Sequence, residues 1–217
     1  MQQDFWLQCW QQNQLGWQQE DAHPLLRSAP SDWLNASQVF VPLCGKSPDL
    51  LFLAQQAPVV GAELSEIACR DFFAENQLQA TRKQSAAFVC YETEVIRLWQ
   101  GDFFALRPEQ VAECRRIYDR AALIALPAPM RRDYVRQLRA LMPAADMLLL
   151  SLEYPVAEKN GPPFSVPAEE ISELFSFAQV TLWQQRDLTG HGFARRRFET
   201  SSLVETCWRI QWPSVQQ

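Results

Sequence analysis

The sequence predicts an α/β fold with a mostly parallel sheet, and two observations support this prediction. Apolar runs at residues 39–43 and 59–62 flank a helix-length segment at 48–56, which is the pattern of a βαβ unit. Further strand-like runs follow, with 147–152 the clearest, and the segment 129–142 is predicted to be a helix with Tyr134, Val135, Leu138 and Leu141 facing inward. The runs at 180–183 and 203–212 predict an antiparallel hairpin at the end of the chain.

Composition limits the classes of protein that the chain can belong to. It has 217 residues, 47% of them apolar, which is ordinary for one globular domain with a sizeable core. A net charge of −5 argues against nucleic acid as a partner. The chain has no run of 18 apolar residues and begins with a polar, acidic segment rather than a signal peptide, so we expect a cytoplasmic protein without membrane contact.

Metal and disulfide chemistry are both disfavoured. The six cysteines are scattered without a C-x-x-C pair, and the chain contains only two histidines. Reduced thiols are therefore expected, and no metal site is predicted.

The N-terminal segment is predicted to be a helix because Phe5, Trp6, Cys9 and Trp10 share one helical face. Two interpretations remain open for this stripe. It packs on the core as an ordinary amphipathic helix, or it forms an aromatic lid over a crevice.

The loop after the first strand is the expected ligand site, since open α/β sheets bind ligands at the carboxyl ends of their strands. Ser47 is predicted to be the N-cap of the next helix and Pro48 its first residue. Glu63 ends the second strand 20 residues after Leu43, near the spacing at which a carboxylate accepts hydrogen bonds from ribose hydroxyls. These features indicate a nucleoside-bearing ligand.

Two phosphate-binding motifs do not fit this loop. Gly45-Lys46-Ser47 could end a P-loop, but Phe40 stands where its first glycine belongs. A G-x-G-x-x-G motif is also missing, which argues against a pyrophosphate and against a nicotinamide-dependent oxidoreductase. A non-catalytic binding module is the third class considered.

Polar residues also follow two later strands. Gly101 and Asp102 come after the run 95–99, where they form either a plain turn or a ligand contact, and Phe103 belongs to the site or to the core. Asp119 and Arg120 follow the run 116–118. They form a surface ion pair, or Arg120 is a fixed cation beside reacting groups.

Several motifs in this order resemble the thiopurine S-methyltransferase family, in its bacterial form, over nearly the whole chain. The family belongs to the class I S-adenosylmethionine-dependent methyltransferases. The motifs are the aromatic residues of 5–10, PLCGKS at 42–47, VGAELS at 60–65, GDFF at 101–104, YDRAAL at 118–123 and GPPF at 161–164.

The resemblance implies a Rossmann-like class I methyltransferase fold, with a seven-stranded, mostly parallel sheet and helices on both faces. A single domain would span 1–217, with an N-terminal helical cover at 1–36 and a catalytic core at 37–217. It also implies methyl transfer from S-adenosyl-L-methionine to the sulfur of thiopurines and other aromatic or heterocyclic thiols, by a monomer. Methylation of selenium or tellurium compounds in detoxification is the alternative.

The resemblance also assigns roles to individual residues. Trp10 and Leu43 would line the cofactor, Glu63 would bind its ribose, Asp102 and Phe103 would flank the adenine, and Trp6 would join the cover. Arg120 would lie between cofactor and substrate and, with Asp119, form the catalytic pair. Trp17 and Phe164 would contact the substrate. One further arginine from Arg195, Arg196 and Arg197 would do so too, with Arg196 and Arg197 the predicted contacts.

Overall fold

The computed structural model describes residues 3–34, 38–190 and 198–213. Its helices are α1 Gln3–Gln11, α2 Pro24–Arg27, α3 Ser31–Leu34, α4 Asp49–Ala54, α5 Glu66–Glu75, α6 Ala128–Leu141 and α7 Ala168–Leu174. Its strands are β1 Val39–Val41, β2 Val59–Glu63, β3 Thr81–Ser85, β4 Phe88–Glu92, β5 Ile96–Gln100, β6 Arg116–Arg120, β7 Ala145–Glu153, β8 Gln179–Asp187 and β9 Val204–Trp212.

The chain divides into two compact units, residues 1–118 and 119–217. The predicted single-domain organisation stays a prediction. In the first unit the strand order is β3-β4-β5-β2-β1-β6. Strand β1 is parallel to β2 through Val39 and Val59, and parallel to β6 through Val39 and Arg116. Every residue of β1 and β2 is buried, as expected for central strands of a parallel sheet.

Strand β1 lies at the switch point of the first unit. The chain continues from β1 to β2 and β5 on one side, whereas β6 pairs on the other side. At such a point ligands bind beyond the carboxyl ends of the strands. The fold therefore favours the loop after β1 as the position of a ligand-binding site.

The predicted α/β class with a parallel core is confirmed, but the predicted number of seven strands is too low, since the described residues form nine. The hairpin β3–β4 pairs antiparallel with β5 at the edge of the first unit's sheet. Every residue of β3 is exposed, so its sequence has no apolar alternation that could predict a strand. Cross-strand contacts stabilise it, including the Arg82 guanidinium 5.6 Å from the Tyr91 ring.

The second unit contains the predicted closing hairpin. Strand β9 pairs antiparallel with both β7 and β8, so this prediction is confirmed. Helix α6 buries Tyr134, Val135, Leu138 and Leu141, the face that its apolar spacing predicts, and also Arg131.

Two features are absent from the described ranges. No helix there has the length and hydropathy needed to cross a bilayer. The same ranges contain no group of three or more His, Cys, Asp or Glu side chains that could hold a metal ion.

Candidate active site

The loop after β1 is fixed by the carboxylate of Glu63. Glu63 Oε2 accepts a hydrogen bond from the Gly45 amide at 2.8 Å, and its Oε1 accepts one from the Ser65 amide at 2.7 Å. Leu43 and Gly45 both have positive φ values, of 47° and 55°. A left-handed conformation is uncommon at a leucine, and such residues concentrate at functional loops.

Burial and hydrogen bonding act in opposite directions on the acidity of Glu63. Desolvation raises the pKa of the carboxyl group, and the amides of Ser65 and Gly45 lower it. A carboxylate has about four lone-pair positions. Since the backbone amides of Ser65, Gly45 and Leu64 supply three hydrogen bonds, Glu63 retains acceptor capacity for a hydroxyl group of a ligand.

The helix that follows this loop begins one residue later than predicted. Pro48 occupies the N-cap position, and α4 begins at Asp49. The Ser47 hydroxyl accepts a hydrogen bond from the Asp49 amide at 3.2 Å, so Ser47 forms a local turn instead of the predicted N-cap. Tertiary contacts hold Asp49 in place, because its buried carboxylate accepts hydrogen bonds from the His23 amide and the Tyr118 hydroxyl.

The N-terminal aromatic residues pack on the loop after β1. A Cβ atom built on Gly45 would lie 3.2 Å from Trp10 Cζ2 and 4.0 Å from Trp17 Nε1. Trp17 in turn makes edge contacts with the rings of Trp10 and Trp6, at centroid distances of 5.9 and 5.2 Å. The predicted apolar stripe divides, since Trp10 is buried and Phe5 is 40% exposed.

The importance of the Gly45–Trp10 contact can be tested by comparing alanine substitutions at Gly45 and at a second glycine, Gly190. Gly190 also has a positive φ, of 69°, but no atom of the described residues lies within 4 Å of a Cβ built there. We expect Gly190→Ala to lower the free energy of unfolding by about 1–2 kcal/mol through backbone strain alone. Gly45→Ala should lose more and shift the tryptophan emission, because Trp10 must move. Denaturation followed by fluorescence checks this, and equal losses with unchanged emission would contradict the contact.

The turn after β5 joins the same loop region through the backbone. The Gly101 amide donates to the Glu63 carbonyl at 2.8 Å, and Asp102 Oδ1 accepts from the Phe104 amide at 2.9 Å. Phe103 is 2% exposed, so its ring is buried beside this turn, and its place next to the adenine stays a prediction. The first unit thus brings together Trp10, Trp17, the 43–45 loop, Glu63 and the turn bearing Asp102. Their contacts with a ligand remain predictions.

In the second unit, Asp119 organises the turn after β6. Its Oδ1 accepts hydrogen bonds from the amides of Ala122 and Leu123, both at 3.2 Å, and its Oδ2 accepts one from the Tyr134 hydroxyl at 2.7 Å. Asp119 is 0% exposed. This geometry supports a positioning role for the carboxylate. Its neighbour Arg120 is partly exposed, and its catalytic role remains a prediction.

Burial raises the pKa of Asp119 from 3.8 to about 6, and its three hydrogen bonds oppose the shift. The folded chain therefore binds a proton more readily than the unfolded chain, and this contribution to stability, complete below about pH 4, is lost as the pH rises through about 6.

We expect Asp119→Asn to remove this pH dependence, because the amide oxygen keeps the backbone contacts and does not ionise. The free energy of unfolding of the variant relative to wild type should rise by about 3 kcal/mol between about pH 4 and pH 7, at about 1.4 kcal/mol per pKa unit. Urea denaturation across this range measures the difference, with Asp133→Asn on the exposed side of α6 as control. A difference that does not vary with pH would contradict the assignment.

The GPPF segment lies against the same turn. The Phe164 amide donates to the Ile124 carbonyl at 2.7 Å, and the Phe164 ring lies 5.5 Å from the Arg131 guanidinium. The Tyr154 hydroxyl donates to the Pro163 carbonyl at 2.6 Å. The second unit thus brings Phe164 next to the turn that begins at Arg120. Arg196 and Arg197, with Arg195, lie outside the described residues.

Sequence reasoning missed Arg131 and assigned Tyr134 only to the core. A charged residue on the apolar face of a helix was the signal available for Arg131.

Residues 1–212 match the model of the family described as thiopurine S-methyltransferase (TPMT). The chain belongs to the thiopurine S-methyltransferase family. A relative of that name from Pseudomonas paraeruginosa is 48% identical over 97% of this chain and 99% of its own length. Another, from Pseudomonas fluorescens, is 41% identical over 97% of each chain.

Solved structures agree with the fold of a thiopurine S-methyltransferase family member. A SAM-dependent methyltransferase from Anabaena variabilis matches with a TM-score of 0.66 at 18% identity, covering 97% of this chain and 94% of that one. A Burkholderia thailandensis 1,6-didemethyltoxoflavin-N1-methyltransferase matches with a TM-score of 0.63 at 15% identity, covering 95% and 85%. At these identities the likeness shows the methyltransferase fold alone.

Proposed function

We propose that this protein transfers a methyl group from S-adenosyl-L-methionine to the sulfur of small aromatic or heterocyclic thiols, thiopurines among them. The observation that carries the proposal is the match to one S-methyltransferase family over almost the entire chain. The PLCGKS loop, the strand-end glutamate and the aromatic helix that define the resemblance meet in one region of the first unit.

The residues of that region fit an adenosyl sulfonium. Glu63 offers a buried carboxylate at the end of a central strand, suited to ribose hydroxyls. Gly45 has no side chain, so Trp10 packs directly against this loop, and we assign the Trp10 ring to the sulfonium cation. Leu43 and the turn at Asp102 and Phe103 complete the residues that we assign to the cofactor.

When bound, S-adenosyl-L-methionine supplies an activated methyl: its carbon–sulfur bond breaks as the acceptor sulfur bonds the methyl, S-adenosylhomocysteine leaves, and the thiol proton passes to solvent. An aromatic thiol ionises readily, so alignment of the reactants matters more than a general base, and it can contribute about 7–11 kcal/mol.

We assign Arg120 the role of a fixed cation that favours the thiolate over the thiol. Asp119 keeps the turn after Arg120 in place through the amides of Ala122 and Leu123. Trp17 and Phe164 are assigned to the substrate, as are Arg196 and Arg197.

Transfer of labelled methyl to a panel of acceptors tests the proposal. The panel contains 6-mercaptopurine, thiophenol, selenite, tellurite and a nucleic-acid control, and S-adenosylhomocysteine serves as the inhibitor control. We expect label in the two thiols and none in the nucleic acid. Label confined to selenite or tellurite would replace the thiol acceptor with the chalcogen alternative. Absence of label from every acceptor would overturn the proposal.

We also propose that the protein acts on small molecules as a monomer in the cytoplasm. Size-exclusion chromatography with light scattering checks the monomeric state, for which the calculated mass is 25.0 kDa.

A further inference from the structure

One face of α6 carries two buried polar side chains that the proposed chemistry does not use directly. Arg131 and Tyr134 are three residues apart and therefore project from the same side of the helix. Arg131 is 3% exposed and Tyr134 is 0% exposed. Burial of an arginine is unfavourable unless its donors are paired, so the partners of these two residues indicate what the helix face does.

Tyr134 is linked to the turn after β6 through the carboxylate of Asp119. Its hydroxyl donates a hydrogen bond to Asp119 Oδ2 at 2.7 Å. The other oxygen of Asp119 accepts hydrogen bonds from the amides of Ala122 and Leu123. Ala121 lies between Asp119 and these two residues and adopts a left-handed conformation with φ of 65°. This conformation is unfavourable for alanine and needs support from its surroundings. Tyr134 thus stabilises the conformation of the turn that follows Arg120.

Arg131 contacts the far end of the same turn and the GPPF segment. Its Nε donates to the Leu126 carbonyl at 2.8 Å, and its guanidinium lies 5.5 Å from the Phe164 ring. Its Nη1 contacts both carboxylate oxygens of Glu170 on α7, at 2.6 and 2.7 Å. The Phe164 amide donates to the Ile124 carbonyl, so the turn and the GPPF segment are also joined directly.

We propose that Arg131 and Tyr134 are positioning residues for methyl transfer: Tyr134 fixes Arg120 through Asp119, and Arg131 fixes Phe164 through the 122–126 turn and its own contact with the ring. The inference rests on the proposed function and deepens it. The two residues of this helix face have different roles. Tyr134 supports Arg120, which is assigned to the chemical step, and Arg131 supports Phe164, which is assigned to acceptor binding.

Tyr134→Phe tests the first half. The variant keeps the ring and removes one hydrogen bond that lowers the pKa of Asp119, so Asp119 takes up its proton at a higher pH. Tyr134 faces Asp119 from α6, and Arg120 follows it on β6. We expect kcat to fall about tenfold at neutral pH, and the acid limb of the kcat profile to move to higher pH.

The matched control is Tyr118→Phe. Tyr118 also donates its hydroxyl to a buried carboxylate, that of Asp49, at 3.2 Å, but this carboxylate is on α4. We expect a loss of stability in this variant without a shift of the pH profile.

Arg131→Lys tests the second half. Lysine keeps the charge but does not reproduce the forked contact with Glu170 together with the Leu126 contact. We expect KM for 6-mercaptopurine to rise at least about fivefold, with the affinity for S-adenosylhomocysteine unchanged. Glu170→Gln loosens the same arginine more mildly and should move KM in the same direction.

Arg132→Lys is the control for the arginine. Arg132 is the next residue of α6 and pairs with Glu173 of the same helix α7 at 2.8 Å, but both side chains are about 70% exposed, at 71% and 68%. We expect its kinetics to match wild type, because an exposed pair contributes little.

Different results would contradict the proposed function and the positioning roles. A wild-type protein that methylates no acceptor would overturn the proposed function, and this inference with it. Active wild-type protein, together with folded Tyr134→Phe and Arg131→Lys variants of unchanged kcat, KM and pH profile, would overturn the positioning roles alone. Circular dichroism at the assay temperature establishes that the variants are folded.

Discussion

Replacing Arg120 with alanine is expected to lower kcat for 6-mercaptopurine at least about 100-fold, the size of effect seen when one preorganised electrostatic contact is removed from an active site. The affinity for S-adenosylhomocysteine should stay within about threefold of wild type, because the other residues assigned to the cofactor, Trp10, Leu43, Glu63, Asp102 and Phe103, are unchanged. A cation beside the acceptor favours its ionised form. Without that cation, the activity of the variant should recover in part as the pH rises and the thiol ionises in solution.

Steady-state kinetics and calorimetry together measure the two quantities. Arg136→Ala is a matched control, since Arg136 lies on α6 of the same unit and forms an exposed pair with Asp133 at 2.7 Å. It should retain wild-type kinetics. If Arg120→Ala loses turnover and cofactor affinity to the same extent, Arg120 acts in binding and not in the chemical step.

Replacing Glu63 with alanine is expected to weaken binding of S-adenosylhomocysteine by about 10- to 100-fold. This corresponds to about 1–3 kcal/mol, the range for a lost hydrogen bond to a charged group. The variant should also be less stable, because the buried amides of Gly45 and Ser65 lose their acceptor. Each unsatisfied amide costs about 1–3 kcal/mol.

The two effects are separated by measuring calorimetric affinity at a temperature where the variant is folded, and unfolding by urea. Glu66→Ala is the control on the neighbouring helix. Glu66 is exposed and pairs with Arg82 at 2.8 Å, so its loss should change neither quantity by more than about 0.5 kcal/mol. Unchanged affinity in folded Glu63→Ala protein would refute the ribose assignment, even if its stability falls as expected.

Local patterns were sufficient for the central part of this protein. The apolar runs around residues 39 and 59 predicted two buried parallel strands, and the structure confirms both. The 3.6-residue spacing along α6 predicted its buried face. These predictions succeed because burial of apolar side chains dominates the choice of conformation in such segments.

Where the local pattern of apolar residues was weak, the sequence did not predict the secondary structure or burial correctly. Strand β3 has five exposed residues and depends on its ladder with β4, so nothing in its own composition marks it as a strand. Pro48 and Ser47 are both acceptable at a helix start, and the contacts of Asp49 decided where α4 begins. Phe5 shares a helical stripe with Trp10 but is 40% exposed, because only part of that face meets the loop after β1.

The sequence by itself determined the α/β class, the strand that ends in Glu63, and the motifs that identify the family. Only the tertiary structure decided that Glu63 holds Gly45 and Ser65, that Asp119 is paired with Tyr134, and that Arg131 is paired with Glu170. The partners in the last two pairs are 15 and 39 residues apart in the chain. Periodicity indicates which face of a segment is buried, but a hydrogen bond between distant side chains depends on how whole elements pack, which no local pattern encodes.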